Sequence, residues 1–215
     1  MSSPLVFERT TGNKLVIDYG VAAQLKDRFL GGEAADVLIL TRQLMDDLQK
    51  QGKMTTGSLM NVGGTAVAVA VRSGAPKPDI SSVEAFKRAL LPVKSVVYAD
   101  PAKGGASGVY FARVIDRLGL AEQLKPKTIL VPGPQAAEVV AKGEAELGIG
   151  QASEIVPVSG AYVLGPLPGE IGSVTVFTAG VAPSTKTPEA GKALIRFLIG
   201  PVAAPILKAK GFETQ

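Results

Sequence analysis

The chain has 215 residues and contains no cysteine, no histidine and no tryptophan. Without thiol or imidazole there is no disulfide, no Cys/His zinc or copper site, no thiol nucleophile and no Ser-His-Asp triad. A carboxylate-only Mg or Ca site would need clustered Asp and Glu, and no EF-hand-like cluster appears. Neither a metal nor a cofactor is expected. Any chemistry would fall to Asp, Glu, Lys, Tyr or main-chain groups. No apolar run approaches the length that spans a bilayer. Aromatic residues make up 5% of the chain, too few to build stacking platforms for bases. The 23 Lys and Arg exceed 19 Asp and Glu, but they are scattered, so nucleic acid is not an expected partner. The start, "MSSPLVFERTTG", has neither a basic n-region nor an apolar h-region and is expected to carry no export signal.

What is present is an alternation of strand-like and helix-like patterns. "KLVIDY" (14–19) predicts a strand and Ala22 to Leu30 a helix. "ADVLIL" predicts a buried strand, and "RQLMDDLQKQG" a helix stopped at Gly52. "SLMNVGGTAVAVAVRSG" predicts a long β stretch interrupted at Gly63-Gly64. In "KPDISSVEAFKRALLPVKS", Ser81 and Glu84 have capping-box spacing, while Val83, Phe86, Ala89 and Leu90 share one helix face. Pro92 ends that helix. "SVVYAD", "KTILVP" and "AELGIG" predict strands, each followed by a small loop and a helix; "AYVLGPLP" and "VTVFTAGVAP" are β-rich. Thr187 is a predicted N-cap with Pro188 at the first helical position, and Gly211 a predicted C-cap. Such repeated alternation with short connections defines an α/β protein with mainly parallel sheets flanked by helices.

Three helix starts are unusually bare: "YGVAAQ" at 19–24, "KGGASG" at 103–108 and "PGPQ" at 132–135. Ligands of open parallel sheets lie beyond the carboxyl ends of the strands, and a helix start offers unpaired N–H groups to an anion. Glycine is also ordinary turn chemistry, so both meanings stay open for each loop. Nucleotide motifs do not fit. "GGASGVYF" lacks the Gly-Lys-Ser/Thr of a P-loop, and "GIGQAS" at 148–153 has Ser153 where a dinucleotide fingerprint needs its third small residue.

The ordered set "ADVLILT…DPAKGGASGVYFARVIDRLG…AKGEAELGIGQASEI…GPVAAPILKAKGFE" resembles the periplasmic molybdate-binding-like family of ABC-transporter solute receptors. The likeness runs from about Phe7 to Phe212. It implies a two-lobe class II periplasmic-binding-protein-like fold with two crossover strands, near Val67–Arg72 and Ser173–Val181, closing on ligand by hinge motion. Lobe one would comprise 1–69 and 178–215, lobe two 70–177. It further implies a periplasmic location, a small anionic solute and a permease as partners. The ligand would be held by neutral hydroxyls and main-chain N–H groups. Carried over by motif, the binding positions are Gly20, Val21, Ala22 and Ala23, then Ala106 and Ser107, then Gly133, and Gln151 where the family has tyrosine. Two departures bear on the solute. Val21-Ala22-Ala23 stands where molybdate binders carry serines, and Gln151 replaces the tyrosine. Each lost donor leaves an oxyanion underbonded by roughly 1–3 kcal/mol, which points to an organic carboxylate rather than molybdate. Relatives also begin with a signal peptide and a central strand; here "SSPLVFERTTGNK" resembles the tail of the helix that follows them. A truncated start, or a gap filled by another chain or segment, is therefore expected, and with it self-association as a homo-oligomer or impaired capture.

A second function stays open. Some proteins resembling this family isomerise unsaturated tricarboxylates such as aconitate, and proton transfer would then fall to Glu154, Lys103 or Tyr110, which lie near the mapped loops. In a receptor, none of these is catalytic. A ligand sensor or adhesin is the third reading.

Overall fold

The computed structural model describes residues 3–214, with the side chains of residues 3–5 left aside. The chain is a mixed α/β protein that divides into two compact units. Unit 1 combines residues 1–64 with 176–215, and unit 2 is the continuous stretch 65–175.

In unit 1, α1 (Ser3–Thr11) leads through an irregular segment to α2 (Ala22–Leu30), β1 (Val37–Thr41) and α3 (Arg42–Lys50). Strand β2 (Met60–Arg72) then carries the chain from unit 1 into unit 2. Leu38 and Leu40 of β1 pack on Met45, Leu48 and Met54, with Leu25 and Phe29 of α2 partly buried against them. The chain re-enters unit 1 along β7 (Val174–Val181), which pairs antiparallel with β1 in the register Val37↔Val181 to Thr41↔Phe177. Helices α9 (Pro188–Leu198) and α10 (Ala204–Lys208) complete the unit, and Phe7 of α1 meets Phe197 of α9 edge to face at 5.5 Å.

Unit 2 runs α4 (Val83–Leu90), β3 (Val96–Ala99), α5 (Ala106–Arg117), α6 (Ala121–Leu124), β4 (Thr128–Val131), α7 (Ala136–Lys142), β5 (Leu147–Gln151), α8 (Ala152–Ile155) and β6 (Ala161–Pro166). Its sheet is mixed. β3 pairs parallel with β4 and β5, whereas β2 pairs antiparallel with β5 and β6. All four residues of β3 and all five of β5 are buried, the mark of strands covered on both faces. The core joins Val67, Val69 and Val71 of β2 to Phe86, Leu90, Phe111, Leu147 and Ile149.

The structure corrects four expectations of the sequence. "KLVIDY" forms no strand, because no chain pairs with it and a strand exists only through its ladder. Val16 is 101% exposed and Tyr19 79%. β1 is half-buried rather than buried, since Ile39 points outward. β2 runs through Gly63-Gly64 without interruption. There the carboxyl-terminal segment crosses closely: Gly64 exchanges hydrogen bonds with Glu213 at 2.8 and 2.7 Å, and a Cβ at Gly63 would lie 2.9 Å from the Glu213 carbonyl oxygen. Finally, the cap of α4 is Ser82, whose hydroxyl accepts from the Ala85 N–H at 3.1 Å. Glu84 instead pairs with Lys87, so the Ser81–Glu84 box does not form.

Candidate functional site

Unit 2 sets three strand-to-helix connections at the carboxyl ends of the neighbouring parallel strands β5, β3 and β4. That is the edge where open α/β sheets take ligands.

After β3, the Asp100 carboxylate accepts from the Ala102 N–H at 2.9 Å and closes a tight turn. Gly104, at φ +77°, reverses the chain into α5, a conformation that costs glycine little. Gly105 precedes the helix with no side chain to cap it. The first intrahelical donor is Val109, to the Gly105 oxygen at 2.9 Å. The N–H groups of Ala106, Ser107 and Gly108 therefore stand at the helix end without helical partners. Ser107 is buried, and its hydroxyl makes no hydrogen bond among the described residues. Gly108 serves packing: a Cβ there would lie 2.0 Å from the Ala99 oxygen, so only glycine lets α5 lie this close to β3.

After β4, Gly133 is buried between two exposed prolines, Pro132 and Pro134. The Oε1 of Gln135 would meet a Cβ on Gly133 at 3.3 Å, and this buried oxygen has no hydrogen-bond partner among the described residues.

After β5, Gln151 is 1% exposed. Its Nε2 donates to the Thr175 hydroxyl at 2.7 Å, while its Oε1 is buried, faces the Glu154 N–H in the capping box that opens α8, and makes no full hydrogen bond among the described residues. A hydroxyl both donates and accepts, so Thr175 can pair with either end of this amide and leave the other to a ligand. Burying an amide end with no partner costs about 1–3 kcal/mol, which is why such a group calls for an explanation. Beside it, the Glu154 carboxylate accepts from the Gln151 N–H at 3.0 Å. Burial pushes the Glu154 carboxyl up from its ordinary range, and this hydrogen bond only partly opposes the rise. The Thr65 hydroxyl accepts from the Ser153 N–H at 3.1 Å and anchors the start of α8.

Unit 1 holds the remaining four positions. Val21 is the N-cap of α2 with extended backbone (φ −66°, ψ 133°) and offers no side-chain cap. Leu25 donates to the Val21 oxygen at 3.0 Å, so Ala22 and Ala23 begin the helix with unused N–H groups. Gly20 is exposed, with Leu25 3.1 Å from where its Cβ would be. Ala106, Ser107, Gly133 and Gln151 share one sheet edge in unit 2, whereas Gly20 to Ala23 belong to unit 1.

Of the three residues considered for proton transfer, Lys103 is exposed on the short turn before α5. The Tyr110 hydroxyl is occupied, lying 3.2 Å from the Ile171 oxygen and 3.3 Å from the Gly172 oxygen. Glu154, half-buried, is the one of the three that hydrogen-bonds a mapped ligand position, Gln151. The sequence did not single out Thr175 or Gln135. Gln135 had a legible signal, a polar side chain directly before a helix in a Pro-Gly-Pro loop. Thr175 had none, because its partner lies 24 positions away.

A two-unit α/β chain with bare helix starts at the carboxyl ends of its parallel strands has the build of a solute receptor. The family model for bacterial extracellular solute-binding protein matches residues 6–213, and the chain belongs to that family. It is 34% identical over 215 residues to the aconitate isomerase of Pseudomonas sp, covering 96% of this chain and 80% of the relative. It is 28% identical to the molybdate-binding protein ModA of Azotobacter vinelandii, covering 97% and 82%. Among solved structures, the substrate-binding domain of a molybdenum ABC transporter from Clostridium difficile superposes with TM-score 0.74 at 18% identity, covering 99% of this chain and 92% of that one. The neighbours establish the class II periplasmic-binding-protein fold.

Proposed function

We propose that the chain captures a small organic carboxylate outside the cytoplasm, in the periplasm, and delivers it to an ABC-transporter permease. The observation that carries this reading is the buried Gln151 amide with one end unpartnered at the carboxyl end of β5. Turned so that its carbonyl accepts from Thr175, the amide presents an N–H donor. The open N–H groups of Ala106 to Gly108 and the Ser107 hydroxyl add neutral donors at the neighbouring loop. Planar carboxylate oxygens suit a few such donors, whereas a tetrahedral oxyanion would miss the hydroxyls that Val21, Ala22, Ala23 and Gln151 do not supply. Gly133 completes the proposed set within unit 2; Gly20 to Ala23, in unit 1, are proposed anion contacts of that unit by motif alone.

Two copies pairing along β1 belong to the same proposal. Among the described residues no chain pairs with β1 on the side away from β7, and the strand-like segment 14–19 is exposed in the same unit.

A second reading, isomerisation of an unsaturated tricarboxylate, draws support from the 34% identity to the Pseudomonas protein, with Glu154 as the proton carrier. The two separate by experiment. In calorimetric titrations cis-aconitate and citrate should bind and molybdate should not. Gln151→Leu should weaken binding by about tenfold or more, the worth of a hydrogen bond to a charged group. Tight binding of molybdate, or an unchanged affinity in Gln151→Leu, contradicts the carboxylate reading. Appearance of trans-aconitate in a proton NMR time course with cis-aconitate, lost in Glu154→Gln, would establish the isomerase.

A further inference from the structure

A cavity of about 710 Å³ lies wholly within unit 2 and takes no part in the site above. Val71, Ala85, Ala89, Val93 and Leu147 give it an apolar lining. Leu147 opens β5 and Gln151 closes it, so roughly 13 Å of strand separates this cavity from the Gln151 amide. Pro76, Pro78 and Pro92 stand in its wall. Their rings fix φ, which limits the freedom of the rim to collapse. The volume falls within the roughly 300–1,000 Å³ typical of small-molecule pockets.

Its charge is unbalanced in a particular way. Two carboxylates line it, and both are engaged by main chain: Asp79 accepts from the Ser81 N–H at 2.9 Å and Glu146 from the Lys94 N–H at 3.0 Å. Three cations line it as well, Arg72, Lys77 and Arg88; none of them forms an ion pair within 4 Å among the described residues, although Arg88 lies near enough to Asp79 to add to the Ser81 hydrogen bonds that hold that carboxyl below its ordinary range. The Lys77 ammonium lies 3.8 Å from the centre of the Tyr162 ring, which adds an aromatic face near the opening. The Arg72 guanidinium rests over Gly143, where a Cβ would approach its Nη1 to 3.1 Å. Unpaired cations beside hydrocarbon select a ligand with the complementary two-part chemistry.

We propose that this cavity is a second binding site, for a small amphipathic carboxylate whose hydrocarbon part lies on Val93 and the rings of Pro76, Pro78 and Pro92. Its carboxylate is taken by Arg72 and Arg88, with Lys77 close by. Arginine suits this task because its planar fork matches a carboxylate with two parallel hydrogen bonds. The cations are exposed, so water screens the pairing and the hydrocarbon contact supplies much of the affinity.

The test is a ¹⁵N NMR titration of the full chain with 1-naphthoate, and in parallel with the neutral 1-naphthalenemethanol. The acid should shift amides in residues 71–79, 85–93 and 143–147 and bind more tightly than the alcohol. R72Q/R88Q should weaken it by about three- to thirty-fold, the sum of two exposed charge pairings. Excess citrate should not displace it, and Gln151→Leu should leave it unchanged, which separates its fate from that of the carboxylate site at the other end of β5. The proposal is overturned if those amides do not move, if the alcohol binds as well as the acid, or if citrate competes. Should R72Q/R88Q fail to fold, the acid-to-alcohol comparison on the unaltered chain decides.

Discussion

Replacing Gly108 with alanine should lower the stability of the chain more than any comparably small change at the start of α5. The added Cβ would lie 2.0 Å from the Ala99 carbonyl oxygen and 2.8 Å from its carbon. A comfortable carbon-to-oxygen contact is about 3.3 Å, so helix and strand must separate by roughly 1.3 Å. The obstacle is backbone of a buried strand, not the tip of a flexible side chain. Moving α5 disturbs Phe111, Val114 and Ile115, which are 0%, 2% and 5% exposed in the unit 2 core. Overpacking of this kind costs about 1–3 kcal/mol, here toward the upper end. For a chain of this length about 3 kcal/mol corresponds to roughly 6–12 °C in Tm. Gly105→Ala is the internal control. Its Cβ would touch only the Ala99 Cβ, at 3.2 Å, and its φ of −67° is open to any residue, so it should cost about 1 kcal/mol or less. Thermal unfolding followed by circular dichroism reads both variants. A Gly108→Ala protein melting within about 2 °C of wild type would refute the close approach of α5 to β3.

Two further outcomes are expected. Ser82→Ala should destabilise by about 1 kcal/mol, the usual worth of an N-cap, while Ser81→Ala should be close to neutral; denaturant titration showing the opposite order would return the cap of α4 to Ser81. Glu154 has a folded pKa above its ordinary 4.5, owing first to burial, so the folded state holds this proton more tightly than the unfolded one. The contribution to stability is therefore complete below about 4.5, falls as pH climbs toward the folded value, and stays lost above it. Glu154→Gln should remove that decline. Wild type gaining on the variant as pH rises, in melts across acid to neutral buffers, would show the sign to be wrong.

The elements most legible in the sequence were those whose signals are local. α4 and α9 show a periodic apolar face and a nearby stop, and β3, β4 and β5 read as short apolar runs before small-residue loops. The misread elements depend on partners distant in sequence. "KLVIDY" has the composition of a strand but no neighbour to pair with. Gly63-Gly64 looked like a break because nothing local announces that Glu213 passes within hydrogen-bonding distance. The candidate site divides along the same line. Ser107 lies in one of the small loops the sequence displays, whereas Gln151 was marked only by the family resemblance. The spare end of the Gln151 amide was not legible, because it depends on Thr175 and on burial by other elements. The second cavity was invisible for the same reason, since residues of β2, α4 and β5 meet there from three distant stretches.

Unit 1 is assembled from both ends of the chain, and β1 is paired by β7 alone among the described strands. This imposes an order on biosynthesis. While the ribosome is still making α9 and α10, the residues of unit 2 have all been joined and can pack from one contiguous stretch. The earlier-made β1 must meanwhile wait with its edge unpaired and with Val37, which packs on Ala179, Val181 and Ile195, uncovered. The stretch up to Gly64 is thus made before unit 2 but sheltered only after it, once β7, α9 and α10 have followed.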